Sequence, residues 1–264
     1  MNLFEAVVLG LVQGLTEFLP ISSSGHLLIV PEAFGWDDPG AAFTAITQLG
    51  TIAAVLLYFR ADLARIFAGA WRGLRDPAER GSTELRLFVM VALGTIPIAL
   101  LGFAFRDSIE HGARDLRITA TMLILFGIVM EVADRVGRQR TTIDELTVRS
   151  GVAIGFAQAL ALVPGVSRSG STISMGRMLG MRREDAARFS FLLSIPAIVL
   201  SGLFSLREVG SGVDLAPTLI ATVIAFVTGY ASIAFLLGYL TRHGMTVFTV
   251  YRVVLGVAVL LLLV

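Results

Sequence analysis

Apolar positions in this 264-residue chain gather into long unbroken runs rather than short alternations. Six runs reach the length of about 20 residues that a bilayer-crossing helix needs. They are Ala41–Phe59, Leu85–Phe105, Ile118–Val136, Ala187–Leu206, Ala216–Leu240 and Val247–Val264. Two further apolar regions are interrupted. Asn2 to Phe34 is cut by Pro20 and the run Ser22-Ser-Ser-Gly-His26, and Val148 to Met181 by Pro164 and Gly165-Val-Ser-Arg-Ser-Gly-Ser171. Each predicts a helix, a polar break and a short second helix. Irregular backbone at membrane depth is tolerated only where it is buried in protein or lines a wet cavity, so both regions are expected to be re-entrant hairpins.

Composition agrees with this pattern. Hydrophobic residues make up 55% of the chain, charged residues 16%, and the mean hydropathy is +0.81. A soluble domain carries about 25% charge. The chain therefore reads as an all-α polytopic membrane protein. Its absence of Cys excludes disulfides, thiolate chemistry and cysteine metal sites. All 21 basic residues are Arg, and the net charge of +1 singles out no partner. The first residues carry no basic leader, so no cleaved signal peptide is expected.

The two broken regions match each other. Moved by 145 positions without a gap, Val7, Gly10, Gln13, Leu15, Ser22, Ser24 and Gly25 fall on Val152, Gly155, Gln158, Leu160, Ser167, Ser169 and Gly170. Three full spans follow each hairpin, so the copies are expected to enter from opposite faces. The prediction is one membrane domain, residues 1–264, with six transmembrane helices plus two re-entrant broken-helix hairpins in an inverted-repeat arrangement, about 1–136 and 148–264. In such folds the broken helices meet near the midplane and form the site. Arg placement sets the orientation. Fourteen Arg lie in the loops after the first, third and fifth spans or flank the second hairpin, against four (Arg106, Arg114, Arg117 and Arg207) on the other side. The Arg-rich side is expected to be cytoplasmic, leaving both termini and the first hairpin open to the outside. Within it, Ala61–Gly73 alternates Arg with Leu, Ile, Phe and Trp, a pattern suited to an interfacial amphipathic segment.

The breaks concentrate the chemistry. Ionisable groups at membrane depth cost about 2.5–3.5 kcal/mol or more and persist where they bind something. Glu17, His26, Arg168 and Arg177 all fall in or beside the breaks. Ser22-Ser23-Ser24-Gly25 and Ser167-Arg168-Ser169-Gly170 each open a short helix, whose free amides and dipole attract phosphate. Arg168 adds a planar fork of donors, and Ser171 and Thr172 add hydroxyls. Two such helix starts facing each other suit a diphosphate. Gln13 and Glu17, four apart, share a helix face and offer oxygens to a divalent cation. A serine beside a base can act as a nucleophile, and the His26 imidazole can move a proton or itself attack phosphorus. Singly, each feature has a plainer role: a structural His, a capping Ser, an Arg that only neutralises Glu17. Elsewhere, Glu131 reads as interfacial, Arg177 as reaching a carboxylate or headgroups, Arg252 as snorkelling or pairing internally, and His111 and His243 as solvated.

The motifs Gln13-Gly-Leu-Thr-Glu17 with Pro20-Ile-Ser-Ser-Ser-Gly-His26, and Pro164-Gly-Val-Ser-Arg-Ser-Gly-Ser-Thr172, resemble those of the undecaprenyl-diphosphate phosphatase family, also called bacitracin-resistance proteins. The likeness extends over essentially the whole chain. It implies hydrolysis of the terminal phosphate of undecaprenyl diphosphate, regenerating undecaprenyl phosphate for cell-wall synthesis in the bacterial membrane, with a divalent cation, Mg²⁺ or Ca²⁺, as cofactor. It places catalytic roles on Glu17, Ser23, His26 and Arg168. Gln13, Ser22, Ser24, Gly25, Ser167, Ser169, Gly170 and Thr172 would contact substrate, and Glu17 would be the metal ligand. Gln13 stands where the family also allows Glu, which leaves one carboxylate for the metal. The implied partners are a polyprenyl diphosphate lipid and membrane lipid, with no nucleic acid; a homodimer is compatible. The alternative is a polyprenyl-phosphate transporter using the same inverted-repeat site. Type-2 phosphatidic acid phosphatases share the look of Ser-Gly-His and Ser-Arg. They need a second His, however, and position 174 is Ser with no His from 112 to 242.

Overall fold

Pro20 and Pro164 shape the two broken regions. The structure, a computed structural model, describes residues 1–38, 40–105, 115–205 and 214–264; Arg106, His111, Arg114, Leu206 and Arg207 lie outside the described residues. Helix α1 (Leu3–Phe18) starts on an Asn2–Glu5 capping box and stops where Leu19 turns extended, as a residue before proline must. Helix α2 (Ser23–Phe34) follows. In the second region, α7 (Val148–Ala159) runs into a 3₁₀ turn at Leu160–Leu162, Val163 is extended ahead of Pro164, and α8 (Arg168–Met178) begins. The residue before each second helix is a serine at positive φ, 76° at Ser22 and 70° at Ser167, whose hydroxyl accepts the amide of Gly25 or Gly170. A non-glycine residue held there costs about 1–3 kcal/mol, so neighbouring contacts must impose the conformation.

The outer ends of each pair come together. Phe4 meets Trp36 edge-on at 6.1 Å. Thr141, on the segment leading into α7, bridges Met181, just after α8, and its carbonyl accepts the Arg182 amide at 3.0 Å.

Helices α3 (Gly40–Tyr58), α5 (Thr83–Ala104), α6 (Leu116–Val136), α9 (Arg183–Ser205), α10 (Leu215–Leu240) and α11 (Thr246–Leu262) coincide with the six predicted runs. Among the described residues, α5, α6, α9 and α10 are each long and apolar enough to cross a membrane alone. α11 has 17 residues, about 26 Å against a hydrocarbon core of about 30 Å. α3 bends by 69° into α4 (Arg60–Arg75). As the amphipathic pattern predicts, α4 buries Ile66, Gly69, Ala70 and Gly73 and exposes Phe67, Trp71 and Leu74. The first helix of each broken pair lies along a long helix, α1 on α10 and α7 on α5. The α7–α5 approach needs glycine: a Cβ on Gly155 would stand 2.3 Å from the Gly94 carbonyl oxygen.

Charged contacts gather the Arg-rich segments at one end of the bundle. Asp62 on α4 accepts from Arg188 on α9 at 2.6 Å, and Arg86 on α5 donates to the Asp144 carbonyl. Asp134, near the end of α6, accepts from Arg177 at 2.9 Å, Arg183 at 2.7 Å and the Met245 amide at 3.2 Å. Arg177 is fully buried; of the two destinations the sequence offered it, it takes the carboxylate. Asp134→Ala would strand that guanidinium without its counter-charge. The variant is expected to lose about 3–5 kcal/mol of stability, read as a lower unfolding midpoint in detergent. A midpoint equal to wild type would show that Asp134 does not hold this end.

Candidate active site

Glu17 is the meeting point. It sits on the last turn of α1, 7% exposed, just ahead of the first break. Gln13, one turn earlier, donates from Nε2 to Glu17 Oε2 at 3.2 Å. Ser23, the first residue of α2, donates its hydroxyl to the same Oε2 at 2.6 Å. The other oxygen, Oε1, accepts from the Arg168 guanidinium, which arrives from the second break. The pair brings opposite charges together where neither would be tolerated alone. Gln13, Glu17, Ser23 and Arg168 are therefore brought to one place by a helix end, a helix start and a second helix start 151 residues away.

The two breaks touch elsewhere as well. The Ser169 hydroxyl donates to the Leu19 carbonyl at 3.1 Å. Gly25 faces the second break across a gap that a Cβ would narrow to 3.7 Å from the Gly165 Cα. Both helix starts carry the same hydroxyl pattern, Ser22 with Ser24 at 3.3 Å and Ser167 with Ser169 at 3.2 Å. First-turn amides lack partners within a helix; in each case the N-cap serine takes up one of them, Gly25 or Gly170.

Other predicted residues stand apart from Glu17. His26 is buried, with Nδ1 2.7 Å from the Ser22 carbonyl and Nε2 2.6 Å from the Tyr251 hydroxyl. A carbonyl can only accept, so Nδ1 carries the proton and Nε2 accepts from Tyr251. The rings of His26 and Tyr251 lie nearly parallel, at 4°. Thr172 turns toward α9, 2.6 Å from the Ser190 hydroxyl, and also donates to the Arg168 carbonyl at 2.7 Å. Ser24 is exposed. His243, read as solvated, is exposed and stacks on Tyr239.

Sequence reasoning missed Tyr251 and underrated Arg252. Snorkelling does not describe Arg252, because the residue is fully buried. It donates to the carbonyls of Pro20 at 3.0 Å, Gly165 at 2.8 Å and Val166 at 3.0 Å, all in the two breaks. An Arg one turn inside an apolar helix was the signal available; the identity of its acceptors was not.

A family model described as "Bacitracin resistance protein BacA" matches residues 6–258. The chain belongs to this family. The match takes in both breaks, all of α11 but its last turn, and every residue gathered around Glu17. The chain is similar to an "Undecaprenyl-diphosphatase" of Nocardioides sp. (strain ATCC BAA-499 / JS614), 51% identical over 99% of this chain and 96% of that protein. It is also similar to an "Undecaprenyl-diphosphatase" of Mycolicibacterium smegmatis (strain ATCC 700084 / mc(2)155), 54% identical over 100% of this chain and 97% of that protein. A third relative, "Undecaprenyl-diphosphatase 2" of Streptomyces coelicolor (strain ATCC BAA-471 / A3(2) / M145), is 50% identical over 99% and 95%.

Proposed function

We propose that this BacA-family chain is an undecaprenyl-diphosphate phosphatase, with Ser23 as nucleophile, Glu17 as its base and Arg168 as the grip on the transferred phosphoryl group. The observation that carries the roles is the shared carboxylate: Glu17 holds the Ser23 hydroxyl at 2.6 Å on one oxygen and Arg168 on the other. Glu17 takes the Ser23 proton as Oγ attacks the terminal phosphorus. The new Oγ–P bond replaces the bridging P–O bond, and undecaprenyl phosphate leaves. Water then attacks the phosphoserine, releasing inorganic phosphate and restoring the hydroxyl. Arg168 exchanges its carboxylate partner for phosphate oxygens, and the helix-start amides of Ser23 and Ser24 and of Arg168 and Ser169 face the charge that develops in transfer. His26, with both ring nitrogens engaged by Ser22 and Tyr251, supports the wall of the site in this reading rather than attacking phosphorus.

The setting follows the same lines. The Phe4–Trp36 and Thr141–Met181 contacts support two re-entrant hairpins, each returning to its own side, between six crossings. The matching positive-φ serines support their being copies in an inverted repeat. With the Arg-rich end in the cytoplasm, both termini and the first hairpin face outward, and the diphosphate is met from the outer side of the cell membrane while its prenyl tail stays in lipid.

Among the described residues no three His, Asp or Glu side chains cluster as a metal cage. The oxygens at hand are the Glu17 carboxylate, the Gln13 carboxamide and the Ser23 hydroxyl, a set that suits Mg²⁺ or Ca²⁺ when substrate phosphates complete the shell. Glu17 and Gln13 would hold such an ion, which would neutralise charge on the phosphoryl oxygens. A chelator is accordingly expected to reduce phosphate release at least about tenfold, with Mg²⁺ or Ca²⁺ restoring it. Full activity in chelator would remove the cation from the scheme.

The deciding experiment is release of inorganic phosphate from undecaprenyl diphosphate by the purified chain in detergent. A transporter acting through the same fold needs no nucleophile and would release none.

A further inference from the structure

Among the described residues Arg252 makes five hydrogen bonds, none of them to a carboxylate. Its acceptors are the carbonyls of Pro20, Gly165, Val166, Met122 and Leu123. A charge at membrane depth held by backbone carbonyls demands an account, and the positions of the acceptors supply one. Pro20 lies two residues before Ser22; Gly165 and Val166 immediately precede Ser167. One guanidinium thus grips both polar turns where the chain swings into positive φ, while the Met122 and Leu123 carbonyls fix it to α6. The rigid fork of five donors is what lets one side chain serve three segments. Gly170 leaves it room: a Cβ there would lie 3.0 Å from Arg252 Nη1.

We propose that Arg252 is a positioning residue for the phosphatase reaction. By tying the two turns to each other, it keeps Arg168, from the second break, in register with Glu17 and Ser23, from the first. This role rests on the phosphatase reading above. Among the described residues the Arg252 guanidinium hydrogen-bonds to backbone carbonyls, and it reaches the chemistry through the groups it aligns. Without it each turn relaxes independently. Substrate still docks through its tail and the first helix start, but the grip on the transferred phosphoryl group is lost.

The test compares Arg252→Gln and Arg252→Lys with wild type in steady-state phosphate release, each rate divided by the folded fraction from an unfolding curve, and repeats Arg252→Gln in an Arg168→Lys background. The expected result is a fall in kcat per folded molecule of about 10²-fold for Arg252→Gln, the cost of a misplacement near 1 Å. KM should stay within about threefold, marking a loss confined to the transition state. Lysine should recover part of the loss. In the Arg168→Lys background the same substitution should cost far less, because both act on one alignment. Should Arg252→Gln fail to fold, Arg252→Lys carries the same kcat and KM comparison. An active wild type whose folded variants keep kcat within about threefold, or whose losses add in full with Arg168→Lys, overturns the positioning role alone. A wild type that releases no phosphate overturns the phosphatase reading, and this role with it.

Discussion

Arg168→Ala is expected to lower kcat for phosphate release by about 10³-fold or more, the scale on which a transition-state arginine acts in phosphoryl transfer. Two effects add. The alanine removes the planar donor pair aimed at the phosphoryl oxygens, and it leaves Glu17, only 7% exposed, without its counter-charge. A buried carboxylate stripped of its counter-charge is no longer held in place for Ser23. Arg168→Lys separates the two. A lysine keeps the charge beside Glu17 and loses the fork geometry, so it should recover folding and the placement of Glu17 but only part of kcat. Comparing both variants in kcat and in unfolding midpoint decides the matter. If Arg168→Lys restores kcat to within about threefold of wild type, the arginine only neutralises Glu17 and the assigned grip on phosphate is wrong.

That the plainer role stays in view is instructive, because the ion pair satisfies both readings before substrate arrives. What was legible in the sequence was local or compositional. Runs of apolar residues located the long helices because a membrane segment must satisfy its own backbone. The spacing of Gln13 and Glu17 placed them on one face because helical geometry fixes i and i+4. The polar turns declared themselves by proline, glycine and serine. The bend after α3 was only half visible: the run was expected to stop at Phe59, and Phe59 does mark the corner, at φ −94° and ψ 13°. The sequence carries no proline there to announce a turn of 69°.

The rest depended on distant partners. Nothing local to Ser23 says that its hydroxyl swings back across the break to Glu17 rather than toward His26, three residues on in its own helix. Arg252 was harder still, since its acceptors are main-chain carbonyls, which every residue possesses and none advertises. Two of them lie 232 and 87 positions away. Thr172 shows how far a helix decides where a hydroxyl goes. Its place in the Ser-Arg-Ser-Gly-Ser-Thr run suggests a phosphate contact, yet the helix turns it toward Ser190 on α9.

Ser23→Ala is the second variant with a large expected effect, and it tests the chemistry rather than the grip. Removal of a serine nucleophile in a site that acts as a unit costs about 10⁴-fold or more in kcat. Little change in folding is expected, because Ser23 is the first residue of α2 and not its cap; the capping hydroxyl belongs to Ser22. The direct observation is the intermediate. Wild type mixed with undecaprenyl diphosphate for a single turnover and quenched in acid should yield a peptide bearing phosphoserine at position 23, and Ser23→Ala should yield none. Glu17→Gln should slow the appearance of that phosphopeptide, since the carboxamide accepts no proton from Oγ. His26→Gln should still form it, because the 2.6 Å contact between Ser23 and Glu17 does not involve the imidazole. A phosphopeptide labelled at His26 instead, recovered from material quenched in base to preserve it, would transfer the nucleophile to the imidazole. It would also require that Tyr251 release Nε2 before each turnover.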